Sequence, residues 1–157
     1  MTDDMHRSAA GAAAVARRVD DLTYRSESTG QTIGLGRVLG GLLREGDVLV
    51  LTGDLGAGKT HLTKGFAAGL GVTEDITSPT FAIVESYDSG RLPLLHWDLY
   101  RLEEEWELDD VDWYGLTESG AVNLVEWGDK FPSALPDDCT FVKVTVLEDG
   151  SRSIELS

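Results

Sequence analysis

Gly53-Asp54-Leu55-Gly56-Ala57-Gly58-Lys59-Thr60 is the stretch of this chain best suited to chemistry. It has the form G-x-x-x-x-G-K-[ST] of a phosphate-binding loop. A triphosphate concentrates several negative charges in a small volume. Holding it needs many donors aimed at one place and little side-chain bulk. Glycines at 53, 56 and 58 let the backbone curl so that successive N–H groups converge. Lys59 can bring an ammonium to the β- and γ-phosphates, and the Thr60 hydroxyl can ligate Mg2+. A helix that follows adds its partial positive end.

Phosphoryl transfer with Mg2+ needs further oxygen ligands. Asp98 closes the apolar run Leu94-Leu95-His96-Trp97, and Glu126 closes Val122-Asn123-Leu124-Val125. An acid at the end of a core strand can hold the metal or its waters. Its plainer role is to cap the next turn or pair with an arginine such as Arg101. Ser78-Pro79-Thr80 offers hydroxyls that can approach a γ-phosphate or the metal, as a switch loop does. In a proline turn the same hydroxyls bond their own backbone. Trp97 and Trp127 each neighbour one of the acids, as core residues or as a shield for the site.

The elements that must position these groups are legible. Asp47-Val48-Leu49-Val50-Leu51-Thr52 suits a buried parallel strand leading into the loop. Leu62, Phe66 and Leu70 recur at helical spacing after it, with Gly71 as a C-cap. Upstream, Leu22–Ser26 suits a first strand. Ser28-Thr29-Gly30-Gln31 fits a capping box for a helix to about Leu43, burying Ile33, Leu35, Val38, Leu39 and Leu42. Gly34, Gly36, Gly40 and Gly41 weaken that helix, so packing must hold it. Downstream, Phe81–Tyr87, Leu92–Asp98 and Ala121–Trp127 suit strands. Thr140–Leu147 and Arg152–Leu156 flank Asp149-Gly150 as a hairpin. The acids of residues 103–112 suit a solvated helix face, and with Trp106 they offer a docking edge for a basic partner.

This order predicts an α/β, P-loop NTPase-like three-layer domain. Its sheet is largely parallel, with antiparallel strands added at one side by the terminal hairpin and the Phe81–Asp98 pair. Ligands of such sheets bind at the carboxyl ends of the strands, which gathers the loop, Asp98 and Glu126 on one edge. Residues 1–20 are Ala-rich and of low complexity, and are expected to be a disordered extension. Residues 21–157 form the single domain.

Composition narrows the function. The 157 residues carry a formal charge of -15, which disfavours a chain that grips RNA or DNA by its own surface. A single cysteine, Cys139, excludes an internal disulfide. The histidines at 6, 61 and 96 lack metal-ligand spacing. No apolar run is long enough to span a membrane, and the acidic, Arg-interrupted N-terminus makes a poor signal peptide. These features suit a cytoplasmic protein. A small-molecule kinase could use the same loop, and so could a nucleotide-dependent binding module. Such kinases usually bring an Arg-bearing lid, whereas this chain has only Arg91, Arg101 and Arg152 after Thr60.

Over about residues 26–156 the chain resembles TsaE, the small bacterial P-loop ATPase of tRNA threonylcarbamoyladenosine synthesis. The resemblance is carried by the loop at 53–60, Thr77-Ser78-Pro79-Thr80-Phe81, Asp98-Leu99-Tyr100-Arg101-Leu102 and Val125-Glu126-Trp127. It implies a cytoplasmic protein that binds ATP and Mg2+ and hydrolyses ATP weakly alone. It implies work with TsaB and TsaD, which modify adenosine 37 of tRNAs reading codons that begin with A. The chain would reset that complex between turnovers, and the tRNA would sit on the partners. By the same resemblance Leu55, Gly56, Ala57, Gly58, Lys59 and Thr60 cradle the phosphates, and Thr60 and Glu126 attend the metal. Asp98 is a catalytic or water-positioning acid, Thr80 belongs to a switch-like loop, and Trp127 is the family's functional tryptophan. The segment near Thr29 and the Gly150–Arg152 turn would touch the adenine or ribose. Three positions depart from the family: His61 replaces a small hydroxyl residue, Trp97 a smaller apolar residue or Phe, and Asp112 a common glycine.

Overall fold

The computed structural model describes residues 15–20, 22–54 and 56–157. Its eight strands form one sheet: β1 (Arg17–Arg18), β2 (Thr23–Ser26), β3 (Val48–Gly53), β4 (Val84–Tyr87), β5 (Leu94–Asp98), β6 (Val122–Glu126), β7 (Thr140–Val146) and β8 (Arg152–Leu156). Helices α1 (Thr29–Gly40), α2 (Lys59–Gly69), α3 (Glu107–Asp110) and α4 (Trp113–Thr117) connect them, with 3-10 turns at Gly128–Lys130 and Pro132–Ala134.

The strand order is β1-β2-β8-β7-β3-β6-β5-β4. The central strands β7, β3, β6 and β5 run parallel. The remaining pairings are antiparallel. The expected largely parallel sheet with antiparallel strands at one side is therefore corrected to a mixed sheet. The hairpin β7–β8, extended by β2 and β1, forms one flank, and β4 forms the opposite edge. A tight turn can only return a strand antiparallel, so each short connection adds such a strand wherever its partner lies.

Alternation along the strands divides the core in two. Leu49, Leu51, Leu94, Val122 and Leu124 pack with Leu35 and Leu39 of α1 and Leu62 and Phe66 of α2. Val48, Val50, Leu95, Trp97 and Val125 pack on the other face with Leu108, Trp113 and Phe131. Trp97 is fully buried, donates to Asn123 Oδ1 at 2.9 Å and meets Trp113 edge-on at 4.8 Å between ring centroids. It is a core residue rather than a shield. Asp112 adopts φ 54°, a left-handed backbone conformation that suits glycine. Trp106 is 64% exposed.

The glycine-weakened helix α1 is held by interlock with α2. A Cβ on Gly36 would sit 2.6 Å from the Leu62 carbonyl oxygen, and one on Gly65 would overlap the Ile33 carbonyl. Gly40 and Gly69 repeat the arrangement one turn along. The two backbones approach so closely that glycine is required where they cross. Ser28 caps α1 by accepting from Gln31 N at 3.1 Å, and the Gln31 side chain accepts from Glu27 N at 2.7 Å.

The described residues begin at Val15, within the segment 1–20 expected to be an extension. Arg17 and Arg18 pair with Arg25 and Tyr24, and Ala16 is buried. Residues 1–14 of the expected extension lie outside the described residues.

Candidate functional site

β3 ends at Gly53 with φ 142°, and the chain turns through Gly56 (φ 80°) and Gly58 (φ 108°) into the first turn of α2 at Lys59. These angles are left-handed, and side-chain-bearing residues rarely adopt them. Lys59 Nζ donates to the Gly53 carbonyl at 2.9 Å, so the ammonium lies over the loop. Arg152 Nε of β8 donates to the Ala57 carbonyl at 2.9 Å and braces the loop.

β5 and β6 deliver the acids to the same edge. They pair in parallel with Asp98 opposite Glu126, and Glu126 is opposite Leu51 of β3. Asp98 is 7% exposed. Its Oδ1 accepts from Tyr100 N at 3.0 Å and its Oδ2 from the Thr80 hydroxyl at 3.2 Å. The Thr80 hydroxyl also lies 2.9 Å from that of Ser78. Glu126 Oε2 lies 3.1 Å from His96 Nε2. Trp127 has φ 62°, and Lys59 Nζ stands 5.6 Å from its ring centroid. The Tyr100 ring packs on Trp127 at 5.0 Å.

The groups converge on a cleft of about 700 Å3. Of the residues expected to act, Thr29, Gly56, Gly58, Lys59, Thr60, Thr80, Asp98 and Glu126 line it. Ala57 is wholly buried behind it and contributes its carbonyl to Arg152. Leu55 lies outside the described residues. His61, Trp127, Gly150 and Arg152 also line the cleft. The bracing by Arg152 and the contact of His96 with Glu126 are absent from the sequence reading. For His96 one signal was available: two residues before Asp98 on a strand, it shares that acid's face.

The arrangement suits a phosphate-bearing ligand. Backbone donors of a glycine loop, a helix N-terminus and an ammonium face acids across one cleft. Among the described residues no three His, Cys, Asp or Glu side chains gather to hold a metal by themselves. No helix among them is long and apolar enough to cross a membrane.

The chain is thus a mixed α/β protein with an anion-receptive cleft at the carboxyl ends of its parallel core strands. Residues 26–154 match the family model described as threonylcarbamoyl adenosine biosynthesis protein TsaE. A tRNA threonylcarbamoyladenosine biosynthesis protein TsaE of Bacillus subtilis is 41% identical over 133 residues, 85% of this chain and 83% of that one. The protein of the same name from Treponema pallidum is 42% identical over 132 residues, 84% of this chain and 97% of its own. The crystal structure of Bacillus subtilis YdiB superposes with a TM-score of 0.73 at 36% identity, covering 86% of this chain and 83% of that one. The chain belongs to the TsaE family, which is named for the biosynthesis of threonylcarbamoyladenosine in tRNA.

Proposed function

We propose that this chain is a P-loop ATPase of that pathway. It binds ATP and Mg2+, turns ATP over weakly alone and acts with TsaB and TsaD in the cytoplasm. There it resets the complex that forms N6-threonylcarbamoyladenosine at position 37 of tRNAs reading A-starting codons. The observation that carries this reading is the convergence of Lys59, Thr60, Thr80, Asp98 and Glu126 on one cleft behind a left-handed glycine loop. The formal charge of -15 supports leaving the tRNA to the partners.

The donor set fits Mg2+. The Thr60 hydroxyl and the Glu126 and Asp98 carboxylates are oxygen donors, the ligand type this hard cation takes, with water and phosphate filling its other positions. When bound, the ion neutralises charge on the phosphates. The chain's own residues do the rest. Gly56, Gly58 and Lys59 hold the phosphates, and Thr29 and the Gly150–Arg152 turn border the nucleoside end. Asp98 positions or deprotonates the attacking water, with Thr80 on its second oxygen.

The kinase reading has less support. Of the three arginines beyond Thr60, Arg91 donates to the Gly40 and Leu43 carbonyls, Arg152 to Ala57, and Arg101 lies over the Phe81 ring. None forms a lid.

The deciding experiment is steady-state ATP hydrolysis by the chain, alone and with purified TsaB–TsaD, counting modified tRNA per complex. Stimulated hydrolysis, with repeated rounds of modification only when this chain is present, supports the resetting role. No effect of the partners would remove it.

A further inference from the structure

His96 is 3% exposed, in the middle of β5 among apolar neighbours. Burying an imidazole costs free energy unless its polar atoms are partnered. Here Nε2 meets Oε2 of Glu126 at 3.1 Å, while Nδ1 is buried with no partner among the described residues. An N–H at Nδ1 would be an unsatisfied buried donor, which is costly to leave unpaired. The tautomer that fits therefore carries its proton on Nε2, where the carboxylate accepts it, and leaves Nδ1 bare.

Glu126 needs such a restraint. It is the last residue of β6, and Trp127 follows it in a left-handed turn. A carboxylate on a strand end has free rotamers unless something fixes it. Asp98 is fixed by Tyr100 N and Thr80. Among the described residues, the side-chain hydrogen bond recorded for Glu126 is the one to His96.

We propose that His96 is a positioning residue: its Nε2–H holds one oxygen of Glu126 so that the other serves Mg2+ or its waters. This rests on Glu126 attending the metal, as in the proposed function. Partners that orient a metal's ligands typically change metal affinity 10–100-fold when removed.

The test uses the full chain, with ADP as probe and MgCl2 titrated calorimetrically into the protein–ADP complex. His96→Leu is expected to weaken Mg2+ binding about tenfold or more. ADP affinity in EDTA and the thermal midpoint should stay near wild type. His96→Gln, whose amide N–H can reach the same oxygen, should return Mg2+ affinity to within about threefold of wild type. A folded His96→Leu with wild-type Mg2+ affinity would overturn the positioning role, as would a His96→Gln no better than His96→Leu. Long-range 15N NMR on the wild type keeps the question decidable if His96→Leu does not fold. A ring protonated at Nε2 with bare Nδ1 supports the role, and the opposite tautomer refutes it. If wild type binds no Mg2+–ADP at all, the proposed function fails as well. A change confined to the variants separates the two.

Discussion

Arg152 Nε reaches back across 95 positions of sequence to donate to the carbonyl of Ala57 at 2.9 Å. The C-terminal hairpin thereby supports the glycine-rich loop. Ala57 is wholly buried, so loss of the guanidinium would leave its carbonyl without that partner. An unsatisfied buried acceptor costs about 1–3 kcal/mol. The loop can recover by shifting towards water, which misplaces its N–H groups. Arg152→Ala is expected to weaken ATP binding about tenfold, ~1.4 kcal/mol, measured by calorimetry. Unchanged affinity would mean that the loop holds its shape without the hairpin.

Gly65 faces the Ile33 carbonyl so closely that a Cβ could only be accommodated by pushing α1 away from α2. The obstacle is backbone, which cannot rotate aside. Gly65→Ala gains helix propensity but overpacks the crossing, and overpacking typically costs about 1–3 kcal/mol. The net expectation is a lower thermal midpoint, by about 2–4 °C for each kcal/mol lost. Gly41→Ala is the control. It lies at the C-cap of α1 with φ -66°, and its Cβ would meet carbonyl oxygens at 3.5 Å and beyond. It should be neutral or mildly stabilising. Equal effects from both variants would dismiss the interlock.

That crossing marks where sequence reading reached and where it stopped. The glycines of α1 looked like weak points that packing must offset. The partner glycines, 65 and 69, carry no local signal of this role, because nothing local says which helix crosses which. The site followed the same rule. Gly53–Thr60, Asp98 and Glu126 were legible because a phosphate loop has a local pattern and strand-end acids sit at the end of apolar runs. Their convergence needed only the rule that parallel strands share a carboxyl edge. Arg152 acts through a contact set by the pairing of β8 with β7 and β2, and one-dimensional spacing does not encode it. The flank on which the hairpin falls is a matter of long-range pairing too.

Asp149 organises the turn before Arg152. Its Oδ1 accepts from the hydroxyl and the N–H of Ser151, and its other oxygen pairs with Arg25. The Ser151 hydroxyl foremost, then the Ser151 N–H and Arg25, hold its carboxyl below the usual aspartate value. The sign follows from linkage: a depressed carboxyl contributes stability above its unfolded value and loses it as pH falls through the folded one. Thermal midpoints measured from about pH 6 down to about pH 3 should therefore fall less steeply for Asp149→Asn than for wild type. Parallel curves would show that the turn does not sense this charge.

Asp98 is the residue at which the proposed binding and turnover roles can be told apart. One oxygen is committed to Tyr100 N and the other to Thr80, whose own hydroxyl is linked to Ser78. Asp98→Asn keeps an acceptor for Tyr100 N, so the turn after β5 should persist and the fold with it. What changes is the group facing Thr80 and the cleft: an amide can neither take a proton from water nor carry the negative charge. Loss of a positioned acid–base group costs typically 100-fold or more in rate, about 10²–10⁴. The loop and Lys59 still supply the phosphate contacts, so ATP affinity should stay within about threefold. Hydrolysis with TsaB–TsaD present, read against affinity from calorimetry, distinguishes the roles. A turnover defect without a binding defect makes Asp98 the catalytic acid. Near-normal turnover would reduce it to a strand-end cap and leave Glu126 as the acid to test in its place.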